Sequence, residues 1–566
     1  MSNRTIPGLE GQQFNGEQTQ YLEGFFAGVA QRGFSFADLG PVAPAQSRAN
    51  LEDQTAEERM KREEHPLDSY YRLAENALHN AAPDKEDTFR FKWNGLFFLT
   101  PVKDAYMARL RIPGGVLKSY QLRELAKAAK ELTSGYIQIT TRANLQMRLI
   151  QPKDAPEFLS RIQGCGLHTR GAGADNIRNI TCNPTAGVDA KELIDTLPFA
   201  REIGHQILNN REFYNLPRKF NIAFDGGGLV GSVEDTNDLG ARAVKVGDEV
   251  FFRIAVGGAT GHKSFARDIG VLVEPAKIVA VLLAMVRVYI ANGDRTDRKR
   301  ARLKHLLEKM SFEEYLAETE TLLGWKLNRT TDGVDTPRAE FAHSHVGVYP
   351  QKQDGLHYIG AGVPVGQITA KQLERLADLS DHFGSGEVRL TVWQNLILPN
   401  IPTAFVQTVS KSLVQMGLPI KSSPLSTGVI ACTGSRYCKF AQADTKGAAL
   451  ALIKHLEKRV PLDQPVNIHF TGCPNSCAQH YMGDIGLLGT KVRGEDGYHI
   501  FLGGGFGSNQ ALGRQVFSGI PAEEVPQLIE KVLKGYLRRR EGTESFQSFA
   551  NRHDLNTLQA IFTNDE

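Results

Sequence analysis

Several features that would place this chain in a common class are missing from its sequence. It contains no run of about 18 apolar residues, the length that a membrane-spanning helix needs. Its start, MSNRTIPGLEGQQFNGEQ, lacks the apolar core of a signal peptide, and Glu10 and Glu17 are unlike a transit peptide. These absences predict a cytoplasmic protein with no membrane span.

Cysteine, net charge and nucleotide-binding motifs are also scarce. Six cysteines in 566 residues do not indicate a disulfide framework. A formal net charge of +3 argues neither for nor against nucleic acid, and no nucleic-acid partner is predicted. No strand–GxGxxG–helix fingerprint indicates a flavin or nicotinamide domain. Hydrophobic residues at 41% and charged residues at 23% indicate a globular protein of about four domain-sized units.

The first 90 residues carry no recognisable chemistry. The stretch from Gln46 to Glu75 is rich in Glu, Arg and Lys, which predicts a helix. Because alternating charges of this kind usually form a solvated face, this part is interpreted as an N-terminal helical segment without a catalytic role.

Four of the six cysteines lie close together. They form the pairs CTGSRYC (Cys432 and Cys438) and CPNSC (Cys473 and Cys477), each among turn-forming residues. Turns let thiolates converge, and four thiolates could hold zinc or an iron–sulfur cluster. The five-residue gap of the first pair fits zinc ribbons poorly, because these space each pair by about two to four residues. Four unrelated core cysteines rarely scatter into two such pairs, so the pattern favours a metal centre and, of the two, a cluster.

Most of the chain is an internal repeat. Matching residues recur at a nearly constant offset of 246 to 251 positions from about residue 105 onward. In chain order the matches pair Gln121 with Gln372, Asn144 with Asn395, Gly166 with Gly417, Cys182 with Cys432, Asn221 with Asn467, and Gly257 with Gly503. Such an offset indicates two copies of one large unit. Since Cys182 has no partner at the matching spacing, only the second copy is predicted to hold a cluster, and Cys165 and Cys182 are interpreted as core residues.

Each copy shows the same alternation of strands and helices. The pattern predicts a strand, then a helix beginning near Leu117 or Thr369, then a second strand over 135–141 or 386–392. Further segments predict strands over 217–224, 251–256, 465–470 and 499–502, and helices over 275–291 and 525–538. This mixture predicts the α+β class.

The cysteine motifs carry a family resemblance. ACTGSRYC and TGCPNSC resemble the cluster motifs of the siroheme-containing nitrite and sulfite reductases, and the resemblance extends from about Arg109 to about Gly507. It implies a [4Fe–4S] cluster held by Cys432, Cys438, Cys473 and Cys477. It also implies that Cys477 is the axial ligand of the siroheme iron and that Asn475 lies against the siroheme.

The resemblance further implies a fold of two copies related by a pseudo-twofold axis, each with a ferredoxin-like half and a cofactor-binding α+β half. The expected domains are the N-terminal helical segment 1–90, the first ferredoxin-like half 91–165, the first siroheme-binding domain 166–335, the second ferredoxin-like half 336–420, and the second, cluster- and siroheme-binding domain 421–566.

Siroheme is a polycarboxylate, so its pocket needs cations, and arginine binds a carboxylate through two hydrogen bonds. The resemblance assigns to siroheme Arg142, Gln146 and Arg302. Arg302 lies in the run 295–304, RTDRKRARLK, which alone predicts a solvated helix face or a nucleic-acid patch. Arg111 is a further candidate cation. Gln138 departs from the family pattern, since some sulfite reductases have an arginine there.

A small oxyanion on the open face of the iron needs groups that stabilise charge as its N–O or S–O bonds break. The resemblance places there Arg109, Arg178, Lys219 and Asn221. Lys219 and Asn221 stand two apart in LPRKFNIAF on a predicted strand, and therefore on one face. Asn221 favours nitrite, because sulfite reductases of the family usually have lysine there, and a monoanion needs one cation fewer than a dianion.

The resemblance thus implies six-electron reduction of nitrite to ammonia in nitrate assimilation. Sulfite reduction to sulfide is the close alternative, and a non-catalytic zinc-binding protein is a more distant one. Because no flavin or nicotinamide fingerprint is present, electrons are expected from a separate protein, and the usual donor of the family is reduced ferredoxin. The enzyme is expected to be a monomer.

Overall fold

The computed structural model of the chain describes residues 54–98, 101, 104–329, 334–335, 345–421, 423–425 and 428–563. All of them belong to the larger of two structural units, Arg48–Glu566. The smaller unit, Met1–Ser47, lies outside the described residues, and so does most of the predicted N-terminal helical segment.

Helices and strands alternate along the described ranges. The helices are α1 Ala56–Glu63, α2 Tyr70–Leu78, α3 Asp87–Arg90, α4 Ser119–Leu132, α5 Ala155–Gly164, α6 Leu197–Asn209, α7 Ile278–Asn292, α8 Leu303–Leu306, α9 Phe312–Leu323, α10 Ala370–Phe383, α11 Val406–Gln415, α12 Thr445–Leu456, α13 Val525–Arg539, α14 Phe546–Arg552 and α15 Leu555–Thr563. The strands are β1 Leu96–Phe97, β2 Tyr106–Arg109, β3 Val116–Lys118, β4 Tyr136–Ile139, β5 Leu145–Ile150, β6 Ile177–Thr181, β7 Phe220–Asp225, β8 Leu239–Val246, β9 Glu249–Val256, β10 Arg267–Val273, β11 Val334–Asp335, β12 Gly347–Pro350, β13 Leu356–Ala361, β14 Gln367–Thr369, β15 Glu387–Leu390, β16 Leu396–Pro402, β17 Val429–Ala431, β18 Ile468–Thr471, β19 Ile485–Val492, β20 Glu495–Leu502 and β21 Arg514–Pro521.

Two antiparallel sheets exchange a strand with each other. One has the order β1-β2-β5-β4-β14 and the other the order β12-β13-β16-β15-β3. Strand β14 of the second copy therefore pairs with β4 of the first, while β3 of the first copy pairs with β15 of the second. Helices α4 and α10 lie together, and one hydrophobic core runs through both sheets. The two antiparallel sheets are thus joined by paired strands and by a shared core.

The other two large sheets share one topology. Strands β6, β7 and β8 are parallel and β9 and β10 continue antiparallel, just as β17, β18 and β19 are parallel and β20 and β21 continue antiparallel. Equivalent residues make equivalent bonds: the backbone N–H of Asn221 donates to Asp238 (2.9 Å), and that of Asn467 donates to Asp484 (2.7 Å). The predicted α+β fold with two related copies is confirmed.

One described segment is long and apolar enough to cross a membrane by length and composition, Pro275–Asn292. In the structure its helix α7 belongs to the core of the first copy, where Met285 and Tyr289 are fully buried. Arg287 interrupts the apolar run and pairs with Glu212 at 2.7 Å. Its composition is therefore that of a helix buried in a protein core.

The charged helix α1 is only in part the solvated face predicted from its sequence, because Arg59, Arg62 and Glu63 are exposed but its other side is buried. Glu58 and Lys61 are only 3% and 7% exposed and pair with each other. Glu58 also accepts from Arg295 at 2.6 Å, and Lys61 lies 3.7 Å from Asp175. Arg298 binds the same Asp175 carboxylate through bonds of 2.7 and 2.8 Å. The prediction is wrong here because the partner Arg295 stands 237 positions away in the sequence.

Replacement of Asp175 by asparagine is expected to lower the free energy of unfolding by about 3–5 kcal/mol, because it removes a buried carboxylate in contact with Lys61, Arg218 and Arg298. The matched control is Asp378→Asn, which breaks an exposed pair with Arg123 and should cost about 0–1 kcal/mol. Denaturation of both variants beside the parent measures the difference. Equal losses would contradict the weight given to the buried network.

Candidate active site

The two cysteine pairs lie where neighbouring parallel strands end. Cys432 directly follows β17, and Cys473 comes two residues after β18, with which β17 pairs. Because parallel neighbours end at the same edge of a sheet, the two loops meet there. The backbone N–H of Gly472 donates to the Cys432 sulfur at 3.2 Å and joins the loops. The topology thus assembles the pairs that the sequence separates.

The loops also have local features that place their thiols. Gly434 has a φ of +74°, a conformation that favours glycine, and its carbonyl accepts from the Cys438 N–H at 3.1 Å. The Cys477 carbonyl accepts from the Thr141 hydroxyl at 2.9 Å, which ties the second loop to the first copy. Cys477 is the exposed member of the four.

In the part of the chain that the structure describes, no three Cys, His, Asp or Glu side chains form a group that could hold one metal ion.

Twelve of the site residues predicted from the sequence line one cavity of about 490 Å³. They are Arg109, Arg142, Gln146, Arg178, Lys219, Asn221, Arg302, Cys432, Cys438, Cys473, Asn475 and Cys477. The walls come from both copies, and the volume falls in the range of about 300–1,000 Å³ usual for ligand sites. The fold thus brings residues from 109 to 477 to one place.

One wall of the cavity is a row of side chains across three strands. The register pairs Arg109 of β2 with Gln146 of β5, and Gln146 with Gln138 of β4. Residues opposite each other on neighbouring strands share a face. Arg148, two positions after Gln146, shares that face and donates to Gln138 (3.0 Å) and Gln146 (2.7 Å). Gln138 stands where some sulfite reductases have an arginine, and Arg148 of the neighbouring strand β5 places a guanidinium beside it.

Arg109 and Arg178 are held by backbone carbonyls. The Ala172 carbonyl accepts from both guanidinium groups, at 3.3 and 3.2 Å, and the Ala174 carbonyl accepts from Arg178 at 2.8 Å. Arg109 also lies over the Phe97 ring at 4.6 Å, a cation–π contact. Because these partners are neutral, the positive charge of both side chains remains available to an anion.

A buried carboxylate, Asp238, connects Asn221 with Arg302. Arg302 donates to it through bonds of 2.8 to 3.1 Å, and the Asn221 side chain donates to it at 3.3 Å. Arg142 donates to the neighbouring Asn237. Asp238 therefore orients an uncharged donor and balances one cation at the same time. Lys219, just before β7, lines the cavity beside Asn221.

Positive charge dominates the cavity. Among the described residues, its lining contains no Asp or Glu but seven cationic side chains, Arg109, Arg142, Arg148, Arg178, Lys219, Arg302 and Lys446. Burial lowers the pKa of Arg142 and Arg148 to about 10 and that of Lys446 to about 8. Burial, and then the charge of Arg302, lowers the pKa of Lys219 to about 7. Such desolvated cations cost free energy unless an anion binds, so the residues present fit a ligand with several carboxylates.

The predicted role of Arg111 in this cavity is wrong. Arg111 does not line it and donates instead to the backbone carbonyls of Ile177 (2.5 Å) and Arg178 (3.1 Å). Its sequence context, ARLRIPGG, shows two arginines at strand spacing and cannot show that β2 ends at Arg109. Arg111 therefore supports the strand that carries Arg178.

The basic run 295–304 is also not the solvated helix face that its sequence alone predicts. Only Leu303–Leu306 is helical, and the preceding residues form a loop. Arg295 and Arg298 bind the buried carboxylates of the α1 network. Arg302, 5% exposed, reaches the cavity.

Sequence reasoning missed three basic residues of the lining: Arg148, His262 and Lys446. Arg148 could have been found from its position two residues after Gln146, on the same strand face. His262 lies in a turn between β9 and β10, and Lys446 lies in the first turn of α12. Neither position carries a periodic or motif signal, because tertiary folding alone brings them to the cavity.

The chain matches two family domains that together span most of its length. Residues 173–327 and 424–565 match the nitrite and sulphite reductase 4Fe-4S domain. Residues 101–165 and 349–416 match the nitrite/sulfite reductase ferredoxin-like half domain.

Whole proteins give the same result. The chain is 39% identical to a ferredoxin–nitrite reductase of Synechococcus elongatus over 78% of this chain and 88% of that one. It is 32% identical to a chloroplastic ferredoxin–nitrite reductase of Zea mays over 86% and 89% of the two chains. The structure of the NirA protein of Mycobacterium tuberculosis superposes with a TM-score of 0.83 at 27% identity, covering 92% of this chain and 99% of that chain. The chain therefore belongs to the nitrite and sulfite reductase family.

Proposed function

We propose that this protein is an oxidoreductase that reduces nitrite to ammonia with six electrons, using siroheme and a [4Fe–4S] cluster. The observation that carries the proposal is the cavity in which four cysteines meet seven cations, with no carboxylate among the described residues that line it. Similarity to ferredoxin–nitrite reductases over most of the chain supports nitrite as the substrate and ferredoxin as the donor.

The cofactor residues divide into two groups. When bound, siroheme supplies the iron at which the substrate is reduced, and the cluster supplies the electrons. The thiolates proposed to hold the cluster are Cys432, Cys438, Cys473 and Cys477, with Cys477 shared with the siroheme. Arg142 and Arg302 would bind siroheme carboxylates, with Gln146 and Asn475 as polar contacts. The partner of Arg142 is the neutral side chain of Asn237, which leaves the charge of Arg142 available to a siroheme carboxylate.

The substrate residues are proposed to be Arg109, Arg178, Lys219 and Asn221. Arg109 and Arg178 would hold the anion, because their hydrogen bonds go to carbonyls and leave their charge uncompensated. Nitrite reduction consumes protons as its N–O bonds break. A pKa of about 7 lets Lys219 hold or release a proton near neutral pH, as a general acid must.

Nitrite fits the neighbourhood of Asn221 better than sulfite does. Asn221 is an uncharged donor, and the Asp238 carboxylate lies 3.3 Å from its amide. The charge of Arg302 is already engaged by that carboxylate. A dianion would therefore meet less net positive charge here than the cation count suggests, and a monoanion loses less from this.

Reduced ferredoxin is the proposed donor, and it would dock beside the first cysteine loop. Arg436 and Lys439 flank Cys438 in that loop, and both are exposed. The next residue, Phe440, is 50% exposed and lies under the Lys439 ammonium at 5.2 Å. Exposed cations around an apolar centre would attract an acidic protein to the cluster.

We further propose that the enzyme is monomeric and cytoplasmic and does not enter a membrane. We also propose that the domain boundaries lie at 1–90, 91–165, 166–335, 336–420 and 421–566. The strand exchange between the ferredoxin-like sheets means that such boundaries would separate segments of sequence and not independent folding units.

Replacement of Cys477 by serine is expected to abolish the visible absorption of both cofactors, because one thiolate is proposed to serve both. Cys165→Ser is the matched control, since Cys165 lies in the hydrophobic core away from the cavity. Absorption spectra of the purified proteins make the comparison. A Cys477→Ser protein with the full parental spectrum would refute the shared ligand.

Nitrite turnover should exceed sulfite turnover, and Asn221→Lys should raise the sulfite-to-nitrite ratio of kcat/KM by about tenfold. One extra unit of ligand charge about 4 Å from a cation is worth up to about 4 kcal/mol at an effective dielectric constant of 20, and pairing with Asp238 will reduce it. Asn221→Met is the control for crowding without charge. Steady-state kinetics with intact siroheme spectra test this, and a ratio that is flat or equal in the two variants argues against the charge account.

Replacement of Lys439 by glutamate should lower kcat/KM for reduced ferredoxin by about tenfold at low ionic strength, because it reverses a charge beside the cluster. Rising salt should shrink this difference through screening. Lys458→Glu, exposed beyond the far end of α12, is the control. Turnover with a small chemical reductant should stay at the parental rate in both variants. An equal effect of the two substitutions on ferredoxin turnover would contradict docking at the first loop.

A further inference from the structure

The helix that begins beside the first cysteine loop has a counterpart in the first copy. Helix α6 begins after Asp195 and Thr196, and the sequence there is Asp-Thr-Leu. Helix α12 begins after Asp444, and the sequence there, 249 positions later, is Asp-Thr-Lys. The aspartate accepts a hydrogen bond from the Leu197 N–H at 3.0 Å in the first copy and from the Gly447 N–H at 3.3 Å in the second. By the match of these two sequences, Leu197 and Lys446 occupy equivalent places.

The first copy shows what the fold needs at this place. Leu197 is 8% exposed and belongs to the same hydrophobic core as Cys182. Cys182 is the counterpart of Cys432 and has no second cysteine at the spacing of a pair. Where no cluster is held, an apolar side chain fills the space beside the thiol.

The second copy has a cation instead. Lys446 lines the cavity together with Cys432, and its ammonium donates to the carbonyl of Ala431, the residue before that cysteine, at 3.2 Å and to the carbonyl of Val365. Within the described residues it forms no ion pair. Its neighbour Thr445 donates through its hydroxyl to the Cys432 carbonyl at 2.7 Å. The ammonium is thus fixed next to the cysteine loop and is not compensated by a bonded carboxylate.

A partly buried ammonium without a bonded carboxylate costs free energy, and the first copy shows that leucine satisfies the packing at this place. We infer that Lys446 raises the reduction potential of the cluster by placing a fixed positive charge beside Cys432. Accepting one electron adds one negative charge to the cluster, and a nearby cation in a desolvated site stabilises that charge. This inference rests on the cluster of the proposed function and adds a residue that sets how readily the cluster takes an electron from its donor.

The test is a redox titration of the cluster, followed by electron paramagnetic resonance, in the complete enzyme without nitrite or ferredoxin. Lys446→Leu, which restores the residue of the first copy, should shift the midpoint potential to more negative values. Lys446→Arg should stay near the parent because it keeps the charge. Lys454→Gln removes a charge from the exposed end of the same helix and should also leave the potential unchanged.

A parental midpoint in Lys446→Leu would overturn the inference, as would a shift of the same size in Lys454→Gln. If Lys446→Leu fails to assemble the cluster, Lys446→Gln removes the charge with less change in polarity, and a parental midpoint there overturns the inference equally. A parent protein without a cluster signal would refute the proposed function instead. A parent with the cluster but without nitrite turnover would refute only the reaction and leave the titration interpretable.

Discussion

Uncompensated positive charge in a desolvated cavity is the constraint on which the rest of this structure depends. The cationic side chains of such a cavity must be kept apart from one another and must not pair with carboxylates of the protein. The molecule does this with neutral acceptors, as where the Ala172 carbonyl receives both Arg109 and Arg178. It uses a carboxylate where orientation matters, at Asp238. The β-strands and the buried ion pairs around Asp175 hold in place the segments that carry the cations.

The two copies share one scaffold but contribute different kinds of residue to the cavity. Asp238 in the first copy binds Arg302 and, through its other bonds, Asn221. Its counterpart Asp484 keeps the backbone bond to Asn467, but burial raises its pKa to about 7. The first copy thus supplies most of the cations and the second supplies the thiols. Each copy retains the bonds that hold its sheet together and differs in the residues that face the cofactors.

Much of this arrangement could be predicted from the sequence because its signals are local or repeated. The cysteine motifs and the constant offset could be recognised in the sequence. The offset reflects hydrogen bonds that both copies of the fold contain: Gln121 donates to the Cys165 carbonyl, and Gln372 donates to the Met416 carbonyl. Lys446 could not be predicted, because its place depends on how α12 meets β17. The burial of α1 was also hidden, since charge alternation looks the same on a solvated helix and on one whose partners lie far along the chain.

The exchange of β3 and β14 has a consequence for how the protein is made. Strand β4 emerges from the ribosome early, but its partner β14 follows 229 residues later, from Gln138 to Gln367. At about 5–20 residues per second, the edge of β4 stays unpaired for on the order of ten seconds or more. An open strand edge invites pairing with other chains. The nascent first half therefore presents one open strand edge of its sheet until the second half arrives to close it.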